Sequence, residues 1–331
     1  MNMMTSDAVI DLRDVAGGAD DGADGNHGER LDHDDALIIH MSDTHISARG
    51  VNPIRSHPHY DARAALDADC ARIAESGLKP NLIAVSGDIC DAEVGNRACE
   101  AYRYVWEKVD ALAADLGCPA VYAMGNHDDR AAFRSTLLKP LLAKAADDSH
   151  ISVAVRTDGP EDPVDYVMTV PGVSGELRAI VLDTSIPDPT DDQGAVLDDQ
   201  LAWLSALLAQ PFAGNTILVM HHPPVAPWQD RARLWHMHPQ DAERLAPVVQ
   251  GRLRAILCGH VHLASSATFA GVPVSIAGAH SRNQDPLHAR DLTYSWAANY
   301  SCNLVLLRNT ATDPDQVLIT PALIAPESSA E

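Results

Sequence analysis

The sequence predicts an α/β protein with a largely parallel sheet covered by helices and a second, more mixed sheet. Three observations carry this. Short apolar runs alternate with helix-length amphipathic segments over most of the 331 residues. The last apolar runs follow one another with no helix between them. Five strings rich in Asp, Asn and His each stand just past the end of an apolar run, where α/β sheets place their ligands.

Taken in order, the apolar run at 37–41 opens the pattern. A helix is expected at about 61–76, with Leu66, Cys70 and Ile73 on one face and Gly77 and Pro80 ending it. The run at 81–85 precedes a helix near 96–116, and the run at 120–124 leads into an Ala/Leu-rich helix at about 129–146. Residues 164–170 and 178–182 read as paired strands. The segment 197–209 puts Leu197, Leu201, Leu204 and Leu208 on one helical stripe. Runs at 216–220 and 255–258 flank a helix at about 240–249, and 272–277, 303–307 and 317–320 complete the strands.

The ends read differently. Residues 1–35 are Gly- and Asp-rich without apolar period, an acidic tail expected to be disordered. His27, Asp32, His33 and Asp34 belong to that tail rather than to a metal site. The domain is expected over 36–322, with 323–331 a flexible C-terminal tail. No run approaches the ~18 apolar residues of a membrane span, and the N-terminus lacks the basic head and apolar core of a secretory signal. Six cysteines without a Cys-x-x-Cys pair disfavour a disulfide framework and fit a cytoplasmic protein. The net charge of −22 and the lack of a Lys/Arg cluster argue against polymeric nucleic acid and against anionic membranes as partners; Arg231, Arg233, Arg252 and Arg254 are the densest basic positions.

The five strings are Asp43-Thr44-His45, Gly87-Asp88, Gly125-Asn126-His127-Asp128, His221-His222 and Gly259-His260-Val261-His262. Asp-x-His and His-x-His would put two ligands on one side of an extended segment, because side chains alternate along a strand. Each string alone is weak evidence, since Asp caps turns and His packs in cores. Together, and each at a strand end, they point to a pair of metal ions, the apparatus for phosphate ester cleavage.

In content and order these strings resemble the signature of the calcineurin-like metallophosphoesterases, over residues from about 40 to 262. The resemblance implies a four-layer αββα sandwich of two mixed β-sheets flanked by helices, with a dinuclear centre. It implies Asp43, His45 and His262 on one metal, Asn126, His221 and His260 on the other, and Asp88 bridging both, with His222 beside the site. Strings at 125–130, 181–185, 200–204, 221–224, 267–274 and 302–305 are similar to a bacterial branch of class III cyclic nucleotide phosphodiesterases and glycerophosphodiester-cleaving relatives. Purple acid phosphatases place a Tyr ligand where this chain has Asp91, so an Fe(III)–Tyr site is not expected. Asp91 reads either as orienting a ligand or meeting a metal through water, or as a helix N-cap.

The implied activity is hydrolysis of small phosphodiesters, 3',5'-cyclic nucleotides such as cAMP first, with glycerophosphodiesters or other phosphate esters as the alternative and a non-catalytic scaffold behind it. Two divalent cations would neutralise the diester and acidify a water between them. Asp88 and Asn126 would serve catalysis through the metals, and His127 through a phosphate oxygen or as acid to the leaving group. The Asp/Asn/His set suits Mn, Fe, Zn or Co without choosing among them. Cys90 and Cys258 read as small buried packing residues. Substrate choice is expected in 223–239, with Trp228, Trp235, His236 and His238, and in 279–300, with His280, Arg282, Asn283, His288, Arg290, Tyr294 and Trp296. The resemblance also implies a homodimer, to which the first of these segments would contribute.

Overall fold

A computed structural model describes residues 35–49, 61–172, 175–185, 192–228, 234–284, 294–295, 299–309 and 316–324. The acidic tail and the stretch carrying His288, Arg290 and Trp296 lie outside these residues.

The chain runs β1 (Ala36–Met41), α1 (Ala62–Glu75), β2 (Leu82–Val85), α2 (Asn96–Leu116), β3 (Ala120–Tyr122), α3 (Arg130–Phe133), a π-helical turn (Arg134–Leu138) and α4 (Lys139–Asp147). It continues through β4 (Ser152–Val155), β5 (Tyr166–Gly172), β6 (Gly175–Val181), α5 (Asp198–Leu208), β7 (Gly214–Val219), α6 (Pro239–Val249) and β8 (Ala255–Cys258). β9 (Ser265–Phe269), β10 (Val272–Ile276), β11 (Asn283–Gln284), β12 (Tyr294–Ser295), β13 (Asn299–Leu307) and β14 (Val317–Ile324) follow.

These strands form a five-stranded sheet, β14-β13-β1-β2-β3, a seven-stranded sheet, β4-β5-β6-β7-β8-β10-β9, and the small pair β11-β12. Both large sheets are mixed. β1, β2 and β3 run parallel, with β13 antiparallel to β1. β6, β7, β8 and β10 run parallel, with β5 and β9 antiparallel at either side. Along β7 the alternation of side chains assigns the layers. Ile217 and Val219 join the core shared with β1, β2, β3, α1 and α2, while Leu218 and Met220 pack with Leu204 of α5 and Leu245 of α6. Helix, sheet, sheet and helix therefore stack as the expected four layers.

Several details depart from the sequence reading. β13 and β14 extend the first sheet beside β1 rather than joining the second, a long-range pairing that local pattern does not encode. β14 also continues to Ile324, past the expected domain limit of 322. The helix expected at 129–146 is interrupted by the π turn, in which Lys139 N–H reaches Arg134 C=O. Pro140 lies just beyond it, and its missing N–H and ring bulk disfavour regular α-hydrogen bonding there. The short β4 and the Ser/Thr-rich β9 also escape the apolar pattern.

All six cysteines are free thiols, as the spacing suggested. Among the described residues no helix is long and apolar enough to cross a membrane.

Candidate metal centre

All five strings follow the carboxyl ends of β1, β2, β3, β7 and β8; parallel order gathers them at one end of each sheet, and contacts between the loops join the two sets. The loops are then zipped to one another. Asp43 N–H donates to Gly87 C=O at 3.0 Å and His45 N–H to Asp88 C=O at 3.0 Å. Gly259 N–H donates to His221 C=O at 3.0 Å, and His260 N–H donates to the Asp43 carboxylate, 3.0 Å from Oδ2. His127 N–H donates to Asp88 Oδ1 at 2.9 Å.

The local backbone is not the extended segment expected for Asp-x-His and His-x-His. Asp43, His45, Asp88, His260 and His262 have φ of 54°, 44°, 49°, 70° and 54°. Five of the seven expected ligands thus hold the left-handed conformation, at about 1–2 kcal/mol each. The paired ligands converge because of these turns, not because of strand alternation. Strain of this kind persists where surrounding bonds over-determine it, and it concentrates at functional sites. Glycines make room for the approach. A Cβ on Gly87, itself at φ 103°, would lie 2.6 Å from His221 Nδ1, and one on Gly259 would lie 1.8 Å from Ser42 Oγ and 2.5 Å from Asp43 Oδ2.

The buried side chains of Asp43, His45, Asp88 and His262 offer ligand atoms within 4.8 Å of one another. His262 Nε2 is 3.2 Å from Asp43 Oδ1 and 3.0 Å from His45 Nε2. His262 Nδ1–H donates to Arg282 C=O at 2.9 Å, and His45 Nδ1 lies 3.2 Å from Asp91 Oδ1. With the Nδ1 positions so directed, the two Nε2 lone pairs face each other, an arrangement that favours a cation between them. Asp88 Oδ2 lies 3.6 Å from His45 Nε2 and 3.2 Å from His221 Nε2. The carboxylate expected to bridge thus stands between the two groups.

On the other side, His221 Nδ1–H donates to Ser86 C=O at 2.8 Å, leaving Nε2 toward Asp88. Asn126 Oδ1 and His260 Nε2 are buried and have no hydrogen-bond partner. A buried polar atom left without a partner costs about 1–3 kcal/mol, a cost that a bound cation at these two atoms would relieve. The seven residues therefore fit a pair of borderline divalent cations both in donor type and in unpaired atoms.

Without metal, protons partly take the place of the cations. Burial opposes charge on His45, but the Asp43 and Asp91 carboxylates, with Asp88, outweigh it and push its pKa up to about 10. Burial likewise opposes charge on His221, and Asp88 lifts its pKa to about 9. Burial holds His260 down to about 3, with His221 adding to the effect. His127 remains 32% exposed at the mouth of the site, and burial lowers its pKa against the pull of Asp88.

Several neighbours had ambiguous or no signal in the sequence. Asp91 does not cap α2, whose N-cap is Gly95. Its carboxylate faces His45 and, at 3.8 Å, His127 Nδ1, so the orienting reading holds. His222 is buried, with Nδ1 2.8 Å from Thr184 Oγ1, and offers a third imidazole beside His221 and His260. Asp128 accepts from Cys90 N–H at 3.0 Å, Gly125 N–H at 2.9 Å and Tyr102 Oη–H at 3.0 Å. It pins the Asn126 loop to the Asp88 loop, and burial with nearby Asp88 pushes its pKa up to about 6. Only its place in the Gly-Asn-His-Asp string hinted at this. Cys90 and Cys258 are buried, and burial raises both thiols.

The expected substrate segments divide. Trp235 lies 6.1 Å, ring to ring, from His260, whereas Trp228 is 65% exposed. His280 does not face the site mouth. It is buried with Nδ1 bonded to Asp69 of α1, and Asn283 is buried and bonded to Ala279. These two side chains hold their segment in place, and Ser281 N–H ties it to Asp43 C=O at 3.2 Å.

Sheet stacking and the converging ligand strings together define a metal-dependent phosphoesterase architecture. A dimetal phosphatase from Danio rerio has a similar fold, with a TM-score of 0.51 over 88% of this chain and 98% of its own, at 12% identity. The profile of the calcineurin-like phosphoesterases matches residues 36–264, and the chain belongs to that family. It is 38% identical over 250 residues to a probable cyclic nucleotide phosphodiesterase of Rhodococcus erythropolis, covering 75% of this chain and 72% of the relative. It is also 38% identical over 272 residues to a cAMP/cGMP dual specificity phosphodiesterase of Mycobacterium tuberculosis, covering 82% and 76%.

Proposed function

We propose that this protein hydrolyses small phosphodiesters, 3',5'-cyclic nucleotides such as cAMP first, at a centre holding two divalent cations. The carrying observation is the buried, partnerless Asn126 Oδ1 and His260 Nε2 on loops that bond directly to the Asp88 and Asp43 carboxylates, at the ends of five strands. The names of the two relatives at 38% identity support the cyclic nucleotide reading.

In this reading Asp43, His45 and His262 hold one cation, Asn126, His221 and His260 the other, and Asp88 both. When bound, the pair supplies charge neutralisation of the diester and acidifies a water for attack on phosphorus. The chain does the rest. Ser86 C=O and Arg282 C=O fix the tautomers of His221 and His262, so that each presents Nε2 inward. His127, partly exposed beside the site, offers its ring N–H to a phosphoryl oxygen or to the leaving oxygen, with Asp91 facing its Nδ1 side. Trp235 offers an aromatic surface on which a nucleobase can stack. Mn, Fe, Zn or Co suit this donor set. A cytoplasmic location fits the free cysteines, and a homodimer through 223–239 belongs to the same reading.

The test is a substrate panel on protein loaded with each metal in turn: cAMP, cGMP, glycerophosphoethanolamine, bis(p-nitrophenyl) phosphate and p-nitrophenyl phosphate. The highest kcat/KM is expected on a cyclic nucleotide. A preference for glycerophosphoethanolamine would move the assignment to glycerophosphodiesters, and cleavage of nothing in the panel would leave a non-catalytic scaffold.

A further inference from the structure

At the opposite end of the second sheet, a cleft of about 490 Å³ lies between the end of α5, the loop before β8 and the start of β10. Three arginines line it, Arg178, Arg252 and Arg254, in a chain of net charge −22. Arg178 stands on β6 opposite Thr216 of β7, five residues before His221, so roughly 16 Å of strand separate this cleft from the metal centre.

Arg178 is covered, with 7% of its surface exposed. Its guanidinium lies 4.3 Å from the centre of the Phe212 ring, and its Nε–H donates to Thr216 Oγ1 at 3.2 Å. No carboxylate pairs with it among the described residues, unlike Arg130 and Arg156, whose Nε atoms lie 2.9 and 2.7 Å from buried aspartates. Burial pulls its pKa down, with no acidic neighbour to offset the effect. Covered charges are ordinarily paired, and a guanidinium without a counter-ion is costly to hold. Arg252 is exposed at the rim and also has no carboxylate partner among the described residues. Arg254 donates to Asn215 Oδ1, Asn309 Oδ1 and Arg308 C=O, and is therefore already engaged.

We propose that this cleft binds a phosphomonoester dianion, its phosphoryl group held between Arg178 and Arg252. The chemistry is specific in two respects. Two guanidinium groups match a dianion, and each offers the donor fork that suits phosphate oxygens. The volume exceeds what a free phosphate ion fills and lies in the range of sites for small organic ligands, with Phe212 and Leu253 supplying apolar wall. The source of the phosphoryl group is either inorganic phosphate or a nucleoside monophosphate. The latter binds more tightly because its body covers the wall. The site is independent of the metal centre and of the reaction assigned to it.

The experiment is isothermal titration of metal-stripped full-length protein, in chelator at pH 8, with inorganic phosphate, 5'-AMP and 3',5'-cAMP. Saturable binding is expected in the order 5'-AMP, phosphate, cAMP, because the cyclic ester carries one charge rather than two. Arg178→Gln is expected to weaken 5'-AMP by about tenfold or more, and the exposed Arg252→Ala by at least about threefold. Because Arg252 is exposed, its replacement reads out binding without disturbing packing. No saturable binding up to about 10 mM would overturn the proposal. So would affinities unchanged in both variants, and the arginines would then serve only the carboxyl-terminal ends of α5 and α6.

Discussion

Metal loading should expel protons, and the number follows from the two raised histidines. In the metal-free site His45 titrates near 10 and His221 near 9, so both are protonated at pH 7. His260 is already neutral there, with its pKa near 3. Nitrogen ligands bind metal only when deprotonated, so filling both positions at pH 7 releases about two protons per chain. The sign follows from linkage. Raising the pH removes the protons that compete with metal, so apparent affinity climbs by up to about one decade per pH unit for each ion, two for the pair, until the pH nears 9. Metal-free stability moves the other way. Folded-state pKa values raised above ordinary His give stabilisation that is complete below about pH 6 and is lost as the pH rises through about 9 to 10. The assay is calorimetric titration of metal into stripped protein at pH 7 in buffers of different ionisation enthalpy. His221→Ala should lower the release from about two protons to about one. Release near zero, or release unchanged in His221→Ala, would refute the reasoning.

Three further outcomes are expected. His127→Ala should lower kcat by roughly 10²–10³ while two metals per chain remain by elemental analysis, since its ring reaches the mouth without being an expected ligand. Gly259→Ala should destabilise the fold by about 1–3 kcal/mol by denaturant unfolding and cut metal content, because the added methyl would press on Ser42 and Asp43. Trp235→Ala should raise KM for cAMP by roughly tenfold, from lost stacking, while leaving kcat/KM for glycerophosphoethanolamine within about twofold.

Which parts of this site were legible in the sequence depends on how local each constraint is. The five strings could be read because each sits one step beyond an apolar run, and β1, β2, β3, β7 and β8 all end where the strings begin. The geometry within the strings could not. Alternation along a strand was the available rule, but Asp43, His45, His260 and His262 take left-handed turns held by bonds to loops far away in sequence. Asp128 accepts largely from backbone N–H groups, and Ser86 serves His221 through its own backbone C=O, so one end of these contacts leaves no residue-type signature. His280 looked like a substrate residue because it lies in an irregular segment, and its partner Asp69 is 211 positions away. The joining of β13 to β1 was hidden for the same reason, since antiparallel register across most of the chain is not written in either strand alone.

The central claim is that Asp43, His45, Asp88, Asn126, His221, His260 and His262 hold two divalent cations that cleave a cyclic phosphodiester. Elemental analysis of Mn-loaded wild-type and Asn126→Ala protein, with cAMP turnover on the same samples, tests it most directly. The account predicts two ions per chain and turnover in the wild type, with about one ion and loss of turnover in the variant. Fewer than one ion per wild-type chain, or full turnover by Asn126→Ala, would contradict it.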